Sequence, residues 1–537
     1  MKPIAQRTLA TISASTIAAG ALLTGGAVPA TATPGAHGLQ WGPCPQRVDN
    51  PRTQCATVEV PMDYANPGGE QISVTALRLP ATGQSQGSVF VNPGGPGGDA
   101  LTTYGSSHSP LQIPEEISRD FDVIAVQPRG LPDSTPLRCL ESAGPGYLAQ
   151  SLFATGAANR QACETMRPGY AQQITTANTA RDFDAVRAGL GAERINLLGL
   201  SYGTLLASVY ATLFPQHTDK VVLDSGYSPS LMWNELMATQ KGGYERALHD
   251  FFAWVAANDS THHLGTTPLA AYQSWSRKVT AESGTNPTVV PPAAQLGDVP
   301  AGFEWAGQSA ADLMTATGQQ RVQLEGLASQ VTNPGANQSH SPTLMMTRQL
   351  VPMPKLWDVL ARHIEGTLDE QELKDISGVP DSNTELEQLA KDQLVSVTMQ
   401  NIMICNEATT PAHPERYPEY LWFNYVTGDI FAAPPATFDS GAFCQGAAPI
   451  TQVPSLDGSQ LATRPLQLQS LGDPQTVFGK FGQMAEQMNS HVVQVDGSGH
   501  GQVGMGNPVA DQLVAEYLHT GSVEATEIPG IDPSAAR

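Results

Sequence analysis

The chain has 537 residues, with 50 acidic against 28 basic side chains, for a formal charge of −22. That balance argues against nucleic acid or an anionic membrane surface as a partner. The length allows a large core and suggests more than one domain, and no run reaches about 18 uninterrupted apolar residues, so no membrane-spanning helix is expected.

The amino-terminal ~32 residues read as a secretory leader. Lys2 and Arg7 form the positive end, Leu9 to Leu23 a short apolar-leaning stretch, and Ala30-Thr31-Ala32 a small-residue cleavage pattern. The leader holds no cysteine, so a lipid-anchored start is not expected. The six cysteines, Cys44, Cys55, Cys139, Cys163, Cys405 and Cys444, suit an oxidising compartment. Their connectivity is open at this point, with fifteen arrangements allowed for six cysteines. None lies at C-x₂-C spacing and no H-E-x-x-H occurs, so neither a metal nor any other cofactor is expected.

Strand-like runs fall at 57–60, 72–79, 88–91, 121–126, 195–198, 220–223, 466–469 and 491–495. The third leads into Asn92-Pro93-Gly94-Gly95-Pro96-Gly97-Gly98. Such a glycine run lets backbone amides approach a ligand closely. A phosphate cradle would want Gly-Lys-Ser/Thr, which is absent. Before the fifth strand's turn, Phe183, Val186 and Leu190 give a 3-then-4 spacing that marks a helix with one buried face. Alternating strands and helices argue an α/β fold with a mostly parallel, eight-stranded sheet covered on both faces.

Gly199-Leu200-Ser201-Tyr202-Gly203 sits between an apolar-leaning strand and a helix-like run, 204–210. Strand, tight turn and helix are what a nucleophile elbow requires. A serine hydroxyl needs a base, and the base needs an orienting carboxylate. Asp473 follows the strand at 466–469, and His500 lies in the glycine-rich loop Asp496-Gly497-Ser498-Gly499-His500-Gly501 after the last strand. The order Ser, Asp, His is that of the α/β-hydrolases. Asp224, after the strand at 220–223, is the rival acid. The expected oxyanion donors are backbone amides of Gly94 and Gly95 and of Tyr202, next to the nucleophile.

Five pieces together resemble the secreted tripeptidyl aminopeptidases, relatives of the prolyl aminopeptidases in the α/β-hydrolase superfamily. They are Asn92 to Gly98, Phe121-Asp122-Val123 through Pro128-Arg129-Gly130, Thr175 to Asp182, the elbow, and the segments around Asp473 and His500. The resemblance implies Ser201, Asp473 and His500 as nucleophile, acid and base. It also favours sequential disulfides, Cys44–Cys55, Cys139–Cys163 and Cys405–Cys444, which close the shortest loops. One departure is Gln127, where the family usually has Asp before Pro-Arg-Gly.

Strand signals fade and helical ones rise between about 228 and 400. The expected organisation is a leader at 1–32, α/β-hydrolase core at 39–227 and 401–525, an inserted helical cap at 228–400 and a loose tail at 526–537. The implied activity is removal of short peptides, tripeptides by family resemblance, from free N-termini outside the cell; a secreted carboxylesterase or lipase is the alternative. An α-ammonium needs carboxylates beside it when buried, and Glu407 and Glu304 are the candidates. Trp233, Trp254, Trp305, Trp357 and Trp422 are candidates for the pocket wall, or else for anchors of the helices. The expected partners are peptide substrates, with no nucleic acid and no membrane insertion.

Overall fold

A computed structural model describes residues 38–377 and 382–534; the expected leader lies outside them. Nine strands form one sheet in the order β1-β2-β4-β3-β5-β6-β7-β8-β9. They are β1 Gln54–Pro61, β2 Gln71–Leu79, β3 Ser88–Asn92, β4 Asp122–Val126, β5 Ile195–Leu200, β6 Thr218–Asp224, β7 Leu466–Gly472, β8 His491–Ser498 and β9 Glu527–Pro529. The two pairings at the β1–β2 edge are antiparallel, and every pairing from β4 to β9 is parallel.

The parallel strands are apolar on both faces, as a sheet covered on both sides requires. One face carries Phe90, Ile124, Leu197 and Val221, packed under Phe183 and Val186 of the helix Thr176–Gly189 and Leu205 and Val209 of the helix Tyr202–Leu213. The other carries Val89, Val91, Leu198, Val222 and Val495 beneath Leu513 and Val514 of the helix Pro508–Thr520.

The eight expected strands are all present, and a ninth corrects the count. β9 falls in the stretch read as a loose tail. It pairs with β8 through Gln494–Glu527, Val495–Ile528 and Asp496–Pro529. Three residues with one buried side chain, Ile528, give no alternation to read.

Every described element between β6 and β7 is helical. Phe251, Phe252, Trp275, Trp357 and Leu360 form a separate core there, drawn from the helices Asn234–Ala257, Pro268–Ser283 and Trp357–Glu365. The helix Asn383–Glu407 is continuous. Its carboxyl-terminal half, with Met399, Ile402 and Met403, joins the core of the sheet. The expected boundary at 400/401 therefore falls inside one helix. Three disulfides pair Cys44 with Cys55, Cys139 with Cys163 and Cys405 with Cys444.

Candidate active site

β5 ends at Leu200 and a helix starts at Tyr202, which leaves Ser201 alone at the turn with φ 59° and ψ −125°. A non-glycine residue at positive φ is strained and is held there by its surroundings. The crossing of strand and helix explains both flanking glycines. A Cβ on Gly199 would fall on the Gly203 carbonyl, and one on Gly203 would lie 2.5 Å from the Asn92 carbonyl oxygen. The Ser201 amide donates to the Asp224 carbonyl at 2.9 Å. The serine is half-buried.

At the carboxyl ends of β7 and β8, Asp473 and His500 meet. His500 Nδ1 lies 3.1 and 3.0 Å from the two Asp473 carboxylate oxygens. The carboxylate also accepts from the Gln475 and Thr476 amides at 2.8 and 2.9 Å and from Thr476 Oγ1 at 2.8 Å. Burial raises the Asp473 carboxyl, but His500 and these donors outweigh it and hold it below the usual carboxylate range. Burial depresses His500, and the Asp473 charge and hydrogen bond outweigh that in turn, so its imidazole is raised. Nδ1 faces the acid, which leaves Nε2 for proton exchange. Leu200, the residue before the serine, lies against this loop: a Cβ on Gly501 would come 2.7 Å from Leu200 Cδ1. Among the described residues Ser201 Oγ makes no hydrogen bond, and it stays free to reach a group in the cleft.

The rival acid has another job. Asp224 Oδ2 accepts from the Gln502 and Val503 amides at 2.8 and 2.9 Å, so it pins the loop that carries His500. Burial pushes its carboxyl up to about 6 against those two donors.

The glycine loop lies directly on the elbow. A Cβ on Gly94 would sit 2.8 Å from Ser201 Cβ and 3.0 Å from the Tyr202 amide nitrogen. Gly94 and Gly95 both adopt positive φ, 89° and 109°, conformations that suit glycine alone. One expected donor is corrected: the Gly94 amide is taken by the Asn92 side-chain oxygen at 3.0 Å. The Tyr202 amide opens the helix, so no intrahelical acceptor meets it, and among the described residues the Gly95 amide has no acceptor either.

The two ammonium candidates separate. Glu304 is exposed and accepts from the nearby Gly302 amide at 2.8 Å; no contact among the described residues links it to the serine or the histidine. Glu407 ends its own helix and sits at the start of the helix Thr176–Gly189. It accepts from the Thr176 amide at 2.6 Å and from Thr176 Oγ1 at 2.8 Å. Thr176 Oγ1 is 2.7 Å from the hydroxyl of Tyr202, beside the nucleophile. Burial pushes the Glu407 carboxyl up to about 7, and among the described residues it has no cationic partner.

The tryptophans divide as well. Trp233 packs on Tyr202 with centroids 6.0 Å apart. Trp305 is exposed, and Trp422 partly so. Trp254 and Trp357 belong to the insertion core and border a crevice of about 670 Å³, with Leu471, Gly472 and Ser498 on its other wall. That crevice lies behind the acid and base loops, and Ser201 does not line it.

Two other sequence pieces are structural. Arg129 is fully buried and pairs with Asp182 at 2.7 and 2.6 Å, joining the Pro-Arg-Gly and Thr175-to-Asp182 pieces. Gln127 accepts from the Ala100 amide at 2.9 Å and donates to the Pro132 carbonyl at 2.9 Å and to Asp99 at 3.1 Å. A carboxylate could not make those two donations, so the glutamine is fitted to its own loop.

The sheet order, the strained serine between β5 and its helix, and an acid–base pair after β7 and β8 define an α/β-hydrolase. The α/β hydrolase fold family matches residues 87–377 and a family described as TAP-like protein matches residues 434–529. The chain belongs to the α/β hydrolase fold family. It is 35% identical over 268 residues to a tripeptidyl aminopeptidase of Streptomyces coelicolor, covering 47% of this chain and 50% of the relative. It is 30% identical over 255 residues to the serine protease Hip1 of Mycobacterium tuberculosis, covering 44% and 48%. Carboxylesterase B of the same organism is 28% identical over 501 residues, 88% of this chain and 86% of the relative. The chain spans about half the length of the first two relatives.

Proposed function

We propose that the chain is a secreted serine aminopeptidase that releases short peptides, tripeptides first of all, from free N-termini. Ser201 Oγ attacks the scissile carbonyl as His500 Nε2 takes its proton. Asp473 holds the tautomer and stabilises the imidazolium that forms. The Gly95 and Tyr202 amides receive the oxyanion. His500 then protonates the departing amine, and water repeats the sequence to free the acyl group from Ser201. The observation that carries this reading is the His500–Asp473 pair at the ends of β7 and β8, with the histidine loop packed on the residue before Ser201.

Peptide rather than ester chemistry is favoured by the tripeptidyl aminopeptidase relatives. It is also favoured by Glu407, a half-buried carboxylate with no cationic partner among the described residues, hydrogen-bonded through Thr176 to Tyr202. An α-ammonium at that carboxylate would set the distance from N-terminus to scissile bond. The helical insertion between β6 and β7 would form the cap that closes the far end of the cleft. Three disulfides suit an extracellular site of action. The second reading, a carboxylesterase, rests on the relative that covers 88% of the chain.

Four chromogenic substrates separate the two: a free-amine tripeptide anilide, its N-acetylated twin, a single-residue anilide and a short-chain ester, each with a Ser201→Ala control. Cleavage of the free tripeptide but not its acetylated twin is expected. Turnover of the ester alone, abolished in Ser201→Ala, would replace the aminopeptidase by an esterase.

A further inference from the structure

The helical insertion touches the turn that follows Asp473. The helix Asn234–Ala257 carries two adjacent glycines, Gly242 and Gly243, in its interior, where glycine is disfavoured against alanine. Gly242 has room: a Cβ there would find only Arg246 Nη1, at 3.7 Å. Gly243 has none. A Cβ there would fall against the Pro474 carbonyl oxygen and 3.0 Å from both its carbonyl carbon and its Cα. Those atoms are backbone, so no rotamer change relieves the overlap. Pro474 is the residue after Asp473.

The next residue completes the contact. Tyr244 is buried, and its hydroxyl accepts from Gln475 Nε2 at 3.0 Å. The Arg348 guanidinium lies over the tyrosine ring, 4.6 Å from its centroid. Gln240, a turn earlier, donates to the Gln475 carbonyl at 3.4 Å. On its inner side the same turn supplies the Gln475 and Thr476 donors that hold the Asp473 carboxylate toward His500.

We infer that Gly243 and Tyr244 are positioning residues for Asp473, so that the inserted helix sets the geometry of the acid–base pair as well as covering the cleft. The inference rests on the reading of Ser201, His500 and Asp473 as a triad. A side chain at 243 pushes the 473–476 turn away from the helix and moves the carboxylate off Nδ1. The groups whose charge His500 then feels are Asp473 from β7 and Asp224 from β6. With Asp473 displaced, the imidazolium is less favoured and the histidine titrates at lower pH.

The test is the rate at which diisopropyl fluorophosphate labels Ser201 in the full chain, read by mass spectrometry across pH, beside the thermal midpoint. This readout does not depend on whether the natural substrate is a peptide or an ester. Gly243→Ala and Gly243→Val are expected to slow labelling by about 10- to 100-fold, the effect of a misplacement near 1 Å. The pH midpoint should drop by roughly one unit. Tyr244→Phe, which keeps the ring and removes only the acceptor, should move both in the same direction by less. Gly242→Ala should change neither. If the Gly243 and Tyr244 variants shift the thermal midpoint alone, with rate and pH midpoint those of the parent, the coupling is refuted. If Asp473→Ala labels as fast as the parent, it is the triad reading that falls. Should Gly243→Val fail to fold, Tyr244→Phe decides.

Discussion

Replacing Asp473 by Asn keeps the shape of the acid and removes its charge, and the structure dictates how the amide must sit. The carboxylate accepts two backbone N–H groups on Oδ1 and the Thr476 hydroxyl on Oδ2, while His500 Nδ1 lies within hydrogen-bond reach of both oxygens. In Asp473→Asn the single oxygen is claimed by the Gln475 and Thr476 amides, which have no other acceptor. The NH₂ is left facing Nδ1, which must then accept. The imidazole proton moves to Nε2, the nitrogen that has to take the proton of Ser201. A triad in the wrong tautomer loses about 10⁴ in kcat, equivalent to roughly 5 kcal/mol of transition-state stabilisation. KM should hardly change, because Asp473 is buried away from substrate. The assay is kcat and KM on the free-amine tripeptide anilide, with circular dichroism to show that the fold is intact. A folded Asp473→Asn protein within tenfold of the parent would refute the assignment of the acid.

Asp224 gives the reciprocal outcome. Asp224→Asn still offers one oxygen to the Gln502 and Val503 amides, so activity should stay within about threefold, whereas Asp224→Ala leaves two buried donors unpaired at about 1–3 kcal/mol each, read as a lower midpoint in urea. Asp182→Ala strands the fully buried Arg129 guanidinium and should cost about 3–5 kcal/mol in chemical denaturation; a loss under about 1 kcal/mol would show that the pair is not the link between the Pro-Arg-Gly loop and the helix Thr176–Gly189. Stability should fall as pH rises from about 5 to 8. Burial pushes Asp224 up to about 6 and Glu407 and Asp511 up to about 7, so in that window the folded chain holds protons that the unfolded chain has released. Glu407→Gln should flatten this slope in the thermal midpoint, and an unchanged slope would mean that Glu407 ionises as freely as an exposed acid.

The sheet and the elbow were legible because their causes are local. Apolar runs broken by glycine and proline mark β1 to β8, and the elbow must have glycine where Gly199 and Gly203 cross at close range. His500 and Asp473 stood out by their place after late strands. Less was legible where a role depends on a distant partner. Nothing near Asp224 tells that its carboxylate binds amides 278 and 279 residues further on. The Gly94 amide is diverted by the Asn92 side chain two residues away, a loop geometry that the glycine run alone does not fix. Glu304 and Glu407 look alike in sequence, each an acid beside a marked residue, and only packing distinguishes the exposed one from the one half-buried against Thr176. Gly242 and Gly243 are a helix-disfavouring pair inside one helix, but only packing against Pro474 tells that 243 needs glycine and 242 does not.

The most direct test of the whole account is to follow a ten-residue peptide with a free N-terminus by mass spectrometry during digestion. Successive loss of three-residue fragments from the amino end, blocked by N-acetylation and absent in Ser201→Ala, is the predicted result. Internal cleavage, or equal cleavage of the acetylated peptide, would contradict a serine aminopeptidase that measures from the ammonium.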